Sequence, residues 1–130
     1  WFIIRDATDT EQRQGTDRIF IGRVDGRTYR VEYKTDHAAS QTGNAFVETV
    51  SVDTSNKPGW AFSSQANFLL YYIPGPETVY VVDFAKLRKR LPHWQRNYRL
   101  RKIPNWGYHT HGLLVPLDEF ERVADKIISL

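Results

Sequence analysis

Hydrophobic and polar residues alternate along several short runs of the chain, and this period of two is typical of half-buried β-strands. The alternation predicts two strands within residues 16–34, separated by a turn, and another over 45–52. A continuous apolar run at 78–84 predicts a strand in the interior of a sheet, and shorter runs at 1–4 and 112–115 predict two more. We therefore expect a β-sheet at the centre of the fold.

Three other segments have the pattern of helices. Residues 60–73 carry apolar side chains at helical spacing before Pro74, which predicts a buried helix. Residues 85–91 are predicted to form a short basic helix that ends at Pro92. Asp118 is a candidate N-cap for a last helix with one apolar stripe. The members of the stripe are Phe120, Val123, Ala124, Ile127 and Ile128. Strands and helices in this order predict a mixed α/β fold, a central mixed sheet flanked by helices, in one domain over residues 1–130.

The first two long strands are joined by Asp25-Gly26, a strong signal for a two-residue hairpin turn. If Val24 lies opposite Arg27, Ile19 faces Glu32 and Asp17 faces Lys34, because the turn fixes the register. These side chains then share one face of the hairpin. Asp17 and Glu32 become diagonal neighbours, which lie about 7 Å apart.

Two carboxylates this close repel one another unless a cation lies between them, and hard divalent cations bind carboxylate oxygens. The pair therefore predicts a cation site with Lys34 beside it. An ordinary exposed Asp/Lys pair on a hairpin surface is the alternative, worth only a few tenths of a kcal/mol. The combination of Asp17 with Glu32-Tyr33-Lys34 on paired strands favours the site.

Asp17 and Glu32-Tyr33-Lys34, with apolar Val31 ahead, resemble the signature of the PD-(D/E)XK nuclease superfamily, the restriction-endonuclease-like and Holliday-junction-resolvase-like phosphodiesterases. The order of the predicted strands over residues 1–90 is also similar to the core of that superfamily. Its first helix would precede Trp1. Exonuclease-type members often carry Gln-x-x-x-Tyr on the next helix, whereas Gln65 is followed at that spacing by Leu69, which favours the resolvase-like or restriction-like side.

The resemblance implies a restriction-endonuclease-like core and a metal-dependent endonuclease that hydrolyses DNA with Mg²⁺ or Mn²⁺. Asp17, Glu32 and the Tyr33 backbone carbonyl would hold the metal, and Lys34 would act on the water or the phosphate. Glu11, just ahead of Asp17, is a candidate additional ligand. Glu48 is another, because a carboxylate on an apolar strand face needs a cation or a salt bridge to an arginine.

Composition supports a nucleic-acid partner and narrows the chemistry. The chain has no cysteine, which excludes disulfides, thiolate metal sites and a cysteine nucleophile. Eight of the eighteen Lys and Arg residues lie between Lys86 and Lys102, where there is no Asp or Glu. Cations interleaved with aromatic residues suit contacts with phosphates and bases. The predicted contact residues are Lys86, Arg88, Lys89, Arg90, Trp94, Arg96, Arg99, Arg101 and Lys102.

Several other expectations accompany this interpretation. DNA is expected in preference to RNA, a cytoplasmic location follows from the lack of a signal peptide or apolar span, and no membrane partner is expected. His109 and His111 share a face of an extended segment but have no evident third zinc ligand. A nucleic-acid-binding module without activity stays open, as does an interaction domain, homodimeric or within a larger assembly.

Overall fold

Two β-sheets form the frame of the molecule, for which the computed structural model describes residues 2–22 and 25–130. The larger, which we call the main sheet, has the order β1-β2-β3-β6-β7-β10. Its strands are β1 (Phe2–Asp6), β2 (Arg18–Gly22), β3 (Thr28–Thr35), β6 (Phe68–Ile73), β7 (Thr78–Asp83) and β10 (Ala124–Ser129). The smaller, called the small sheet, has the order β5-β4-β9-β8. Its strands are β4 (Asn44–Val52), β5 (Lys57–Pro58), β8 (Leu100–Pro104) and β9 (His109–Pro116).

The main sheet is mixed, because β3 and β6 pair in parallel and its other strands pair antiparallel. Five α-helices in the described residues complete the fold. They are α1 (Asp9–Arg13), α2 (Ala39–Thr42), α3 (Trp60–Ser63), α4 (Phe84–Asn97) and α5 (Leu117–Val123). The expected mixed α/β class with a central sheet and flanking helices is confirmed.

The core lies between one face of the main sheet, one face of the small sheet and the helices α3 to α5. Leu69 and Val82 enter it from the main sheet, and Val47 and Val115 from the small one. Trp94 of α4 fills its centre. The side chain of Glu32 lies on the same face of the main sheet as Leu69, its register partner on β6.

Two predicted helices are wrong in extent. The helix expected over 60–73 ends at Ser63. The aromatic and leucine residues that follow form β6, because this segment pairs with β3 on one side and β7 on the other. The helix expected from Asp118 ends at Val123, and the apolar residues beyond it form β10 against β7. Short apolar runs fit both periods, so the pairing of neighbouring strands decides between them.

The helix predicted over 85–91 is longer than expected. It spans Phe84–Asn97 with Pro92 inside it. Leu87, Leu91 and Trp94 lie on its buried face, at spacings of four and three. Packing of Trp94 beyond the proline therefore compensates for the hydrogen bond that Pro92 cannot donate.

The polar segments also contain elements that their patterns did not predict. Thr8 and Glu11 form a capping box that begins α1 in the polar segment 6–15. The polar segment 35–44 contains α2, and the basic segment contains the edge strand β8. The first strand runs from Phe2 to Asp6, and Trp1 lies outside the described residues.

The predicted turn register is wrong by two residues. Ile19 pairs with Arg30 and Arg18 with Val31, and the Gly22 N–H donates to the Arg27 carbonyl at 2.8 Å. Residues 23–27 therefore separate β2 from β3, instead of the expected two-residue turn. Val24, the expected partner of Arg27, lies outside the described residues. A shift of two residues leaves each paired residue of β2 and β3 on its predicted face, whereas Asp17 lies outside this ladder, so its grouping with Glu32 and Lys34 stays a prediction.

Candidate active site

Glu32 lies on the central strand β3 and is buried at the edge of the apolar core, with 5% of its surface exposed. Its Oε1 lies 3.3 Å from Lys34 Nζ. Its Oε2 is buried and has no hydrogen-bond partner among the described residues, as is also true of Thr16 Oγ1. A buried carboxylate oxygen without a partner is expensive, so this position is not explained by packing.

Burial raises the pKa of the Glu32 carboxyl above its ordinary value. The Ser64 hydroxyl and the Lys34 ammonium oppose this rise, and the charge of Asp17 adds to it. The Ser64 hydroxyl donates to the Gly15 carbonyl at 3.1 Å, so its proton is already committed. Burial and the charge of Asp17 thus disfavour the ionised carboxylate of Glu32, which Lys34 compensates only in part.

Asp17 lies just before β2, where that strand begins to pair with β3. Its N–H donates to the Val31 carbonyl at 2.8 Å, and its carboxylate Oδ2 accepts the Tyr33 N–H at 2.6 Å. The side chain thus takes the place of a backbone acceptor at the end of the ladder. This hydrogen bond ties Asp17 to β3, the strand that carries Glu32. The charge of Asp17 is close enough to add to the rise in the pKa of Glu32.

Lys34 lies between two carboxylates. Its positive charge opposes the rise in the pKa of Glu32, to which it is ion-paired, and the rise in the pKa of Glu48 on the small sheet. Tyr33, between Glu32 and Lys34, is exposed, and the Arg18 guanidinium lies 5.6 Å from its ring centre. The role of the Tyr33 carbonyl stays a prediction.

Glu48 lies on β4 and shares a pocket of about 180 Å³ with Glu32. Burial raises the pKa of Glu48, and the charge of Glu32 raises it further. The arginine salt bridge considered for Glu48 is not formed within the described residues. The face of β4 that carries Glu48 is also not the core face, since Ala45 and Val47 are buried on the other side.

Gly59 gives Glu48 its place. A Cβ at Gly59 would lie 2.4 Å from the Glu48 carbonyl oxygen and 2.7 Å from its Cγ. The Gly59 N–H donates to the Thr49 carbonyl at 2.9 Å, which holds the two segments together. Only glycine permits this approach, because the contact is with backbone atoms that cannot move aside.

Glu11, the other candidate ligand, is occupied elsewhere. Its carboxylate accepts the Thr8 N–H at 3.0 Å in the capping box and pairs with Arg5 at 3.1 Å. The Arg5 hydrogen bond and then the Thr8 N–H lower the pKa of Glu11 to about 2. These contacts would have to break before Glu11 could bind a cation.

The structure divides the predicted nucleic-acid-binding residues into two groups. Lys86 is paired with Asp125, and Arg90 with Glu119. Arg88 donates to the carbonyl of Ala61 at 3.0 Å and to that of Ser64, beneath the Glu32 pocket. These three cations support the fold. The exposed ones without an ion pair in the described chain are Lys89, Arg96, Arg99, Arg101 and Lys102.

Trp94 was expected to contact nucleic acid, and this prediction is wrong. Its side chain is 0% exposed, stacks on Phe120 and donates to Glu119 at 3.2 Å. A base cannot reach it. Among the described tryptophans Trp106 is the exposed one, with 98% of its surface exposed in the turn between β8 and β9.

His109 and His111 share a face of β9 as expected, and Asp53 lies beside them, 3.7 Å from His109 Nδ1 and 3.2 Å from His111 Nε2. No spacing pattern in the sequence predicted Asp53 as a neighbour of the two histidines, because it lies 56 residues from His109. Across the described parts of the chain, no group of three or more His, Cys, Asp or Glu side chains is arranged to hold a metal ion.

The chemistry of the Asp17 and Glu32 oxygens nevertheless fits a divalent cation. Mg²⁺ keeps several water ligands and commonly binds through one or two carboxylates, so a cage of three protein ligands is not needed. The unpartnered Oε2 of Glu32 is an available hard oxygen. Ser64 lines the pocket shared by Glu32 and Glu48, and Gly59 packs against Glu48. Neither residue was predicted as part of the site from the sequence, because both act through tertiary contacts.

No protein-family model matches the chain, and no curated protein matches it. Among solved structures, it is similar to a bacterial homing endonuclease, I-Ssp6803I. The two share 21% sequence identity with a TM-score of 0.48, over 83% of this chain and 74% of that one. At this level the likeness carries no inference about activity. Within the described residues, no helix is long and apolar enough to cross a membrane.

Proposed function

We propose that the chain is a metal-dependent endonuclease that hydrolyses phosphodiester bonds of DNA, of the resolvase-like or restriction-like type. One observation carries the proposal: Glu32 is buried with an unpartnered Oε2, beside Asp17 and Lys34. A divalent cation, Mg²⁺ or Mn²⁺, would compensate this charge. Asp17 and Glu32 would hold it, with the Tyr33 carbonyl and Glu48 as additional oxygen ligands.

When bound, such a cation supplies charge that polarises a phosphate and lowers the pKa of bound water. Lys34 has a distinct task. Its Nζ is held at Glu32 Oε1 and its side chain is partly exposed, so the ammonium can donate to a phosphate oxygen as negative charge develops there. Asp17, fixed by the Tyr33 N–H, keeps its carboxylate oriented without rearrangement.

A groove beside Lys34 offers room for a nucleic-acid strand. It has a volume of about 380 Å³ and is lined by the cations Lys34 and Arg101 and by the acids Asp36 and Glu48. Phe46 and Leu114 contribute apolar surface. Lys34 and Arg101 can contact the phosphates of a strand whose sugars lie against this apolar floor.

Cleavage assays test the proposal. Supercoiled plasmid, linear duplex, single strands and a four-way junction are incubated with the purified chain and Mg²⁺ or Mn²⁺. We expect metal-dependent cutting that falls by at least about 100-fold in each of the variants Asp17→Asn, Glu32→Gln and Lys34→Met. Glu77→Gln, an exposed carboxylate in the β6–β7 turn, is the matched control and keeps full activity. Absence of cutting on every substrate refutes the proposal.

A second candidate is a nucleic-acid-binding or assembly module without activity. The lack of a preformed group of three metal ligands in the described residues favours it. Thermal melts with and without Mn²⁺ separate the two, since a ligand that binds only the folded state raises the melting temperature. A module without a metal site shows no shift.

A further inference from the structure

We propose that strand β8 and the turn that follows it form a contact surface for duplex DNA, in which Trp106 enters a groove and contacts bases while Arg99, Arg101 and Lys102 contact phosphates. The inference rests on the proposed function for its partner. It moves the interface from helix α4, where most of the basic residues lie, to one edge of the small sheet.

The exposure of Trp106 is the first observation. A fully exposed tryptophan leaves a large apolar surface in water, and burying such a surface is favourable by about 25 cal/mol per Å². Trp60 and Trp94, by contrast, are both buried in the core. An exposed aromatic side chain of this size, with no apolar neighbour to cover it, is typical of a binding residue.

The turn that carries Trp106 is held by a network of hydrogen bonds. The Asn105 N–H donates to the Tyr108 carbonyl at 2.8 Å, and the Asn105 side chain donates to Thr110 Oγ1 at 2.8 Å. Thr110 Oγ1 in turn donates to the Ser51 carbonyl at 2.9 Å. Trp106 is therefore held outward by a defined turn, which lowers the entropic cost of binding.

Asp53 fastens the base of the same turn. Its carboxylate accepts the His109 N–H at 2.9 Å and contacts His111 Nε2 at 3.2 Å. The His109 N–H and then the His111 side chain lower the pKa of Asp53, against the effect of burial. Through these contacts the Asp53 carboxylate holds both histidines of β9 in place beside the turn.

The charges of β8 and of Arg99, which directly precedes it, are the second, independent observation. Arg99, Arg101 and Lys102 are exposed and form no ion pair within the described residues, unlike Lys86 and Arg90 on α4. Charged residues can protect an edge strand from pairing with another chain. That role does not explain an exposed tryptophan at the end of the same strand.

The position of Arg101 links this surface to the candidate active site. It pairs with Gly112, which pairs with Glu48 on the next strand, so the three residues form one row on one face of the small sheet. Arg101 and Lys34 line the same groove. A duplex that contacts β8 can therefore place a phosphate beside Lys34.

Fluorescence anisotropy with a labelled duplex of about two helical turns tests the inference. Every variant carries Glu32→Gln, so that the DNA stays intact. We expect Trp106→Ala to weaken binding by about 5- to 100-fold and Trp106→Phe by less. Arg101→Gln and Lys102→Gln should each lower the slope of log affinity against log salt concentration by about 1. Lys126→Gln, an exposed lysine of the main sheet, is the control and binds normally.

Acrylamide quenching gives a second readout, because Trp106 should be quenched in the free protein and protected in the complex. Duplex binding that is unchanged in Trp106→Ala, Arg101→Gln and Lys102→Gln overturns the inference, as does a failure of the parent protein to bind duplex. The proposed nuclease stands if the chain still cuts DNA. Weakened binding by these variants in a chain that cuts nothing supports the surface and refutes the nuclease.

Discussion

Replacing Glu32 with glutamine should stabilise the metal-free protein at neutral pH. The change keeps the shape of the side chain and removes a charge that is 5% exposed, with one oxygen paired to Lys34 and the other unpartnered. An unsatisfied buried group costs about 1–3 kcal/mol, and the loss of the Lys34 ion pair offsets part of the gain. We expect a net gain of about 1 kcal/mol, or a rise of about 3–5 °C in melting temperature.

The pH dependence follows from the direction of the shift. The pKa of Glu32 is raised in the folded state by burial, so the folded protein binds this proton more tightly than the unfolded chain does. The stabilisation from the protonated form is complete below the ordinary glutamate pKa and is lost as the pH rises through the raised value. The advantage of the glutamine variant should therefore be largest at neutral pH and shrink towards pH 4.5.

Urea unfolding from pH 4 to 8, with and without Mn²⁺, measures both effects. Wild-type protein should gain about 2.7 kcal/mol at a Mn²⁺ concentration 100 times its dissociation constant, and the variant should gain almost nothing. Glu77→Gln should behave as wild type throughout. If Glu32→Gln destabilises the protein equally at pH 4.5 and pH 7, the argument from an uncompensated buried charge is refuted.

Three further substitutions test the supporting structure. Gly59→Ala should destabilise by about 1–3 kcal/mol and reduce cleavage, because its Cβ collides with the backbone of Glu48; unchanged urea unfolding would contradict this. Trp94→Ala should cost about 3–5 kcal/mol yet leave duplex affinity intact well below the melting temperature, which anisotropy measures. Tyr71→Phe should cost about 1–3 kcal/mol, because the Tyr71 hydroxyl donates to Asp36 and accepts from the Phe46 N–H. Burial and the charge of Asp36 raise the pKa of this hydroxyl, so it stays protonated. A melting curve identical to that of the wild type would refute this role.

Local pattern was sufficient for the strands of the candidate site. The alternation on both sides of residues 23–27 predicted that Asp17, Glu32 and Lys34 share one face. For the paired residues of β2 and β3 the face assignment survived an error of two residues in register, because it depends only on parity, whereas the exact pairing depends on the length of the connection between the strands. Asp25-Gly26 suggested a shorter turn.

Tertiary contacts decided what the sequence could not. The apolar residues of 68–73 and 124–129 fit a helix as well as a strand, and pairing with β7 on either side made both of them strands. The basic segment read as a single interface, but α4 directs Trp94 into the core while β8 leaves its cations exposed. No spacing rule distinguishes these cases, because burial depends on which neighbours the rest of the fold supplies.

The charge pattern around Lys34 explains why the fold tolerates an unfavourable position. Glu32 and Glu48 both interact with the Lys34 ammonium, Asp17 adds its negative charge beside Glu32, and burial raises the pKa values of Glu32 and Glu48. Glu32 pairs in register with Leu69, where a leucine of similar volume would extend the core without any unsatisfied oxygen. A carboxylate kept at such a position is a cost to stability, and natural proteins accept costs of this kind mainly at functional sites. The excess of carboxylates, for which no packing argument accounts, is the ground on which we propose a positively charged ligand at this site.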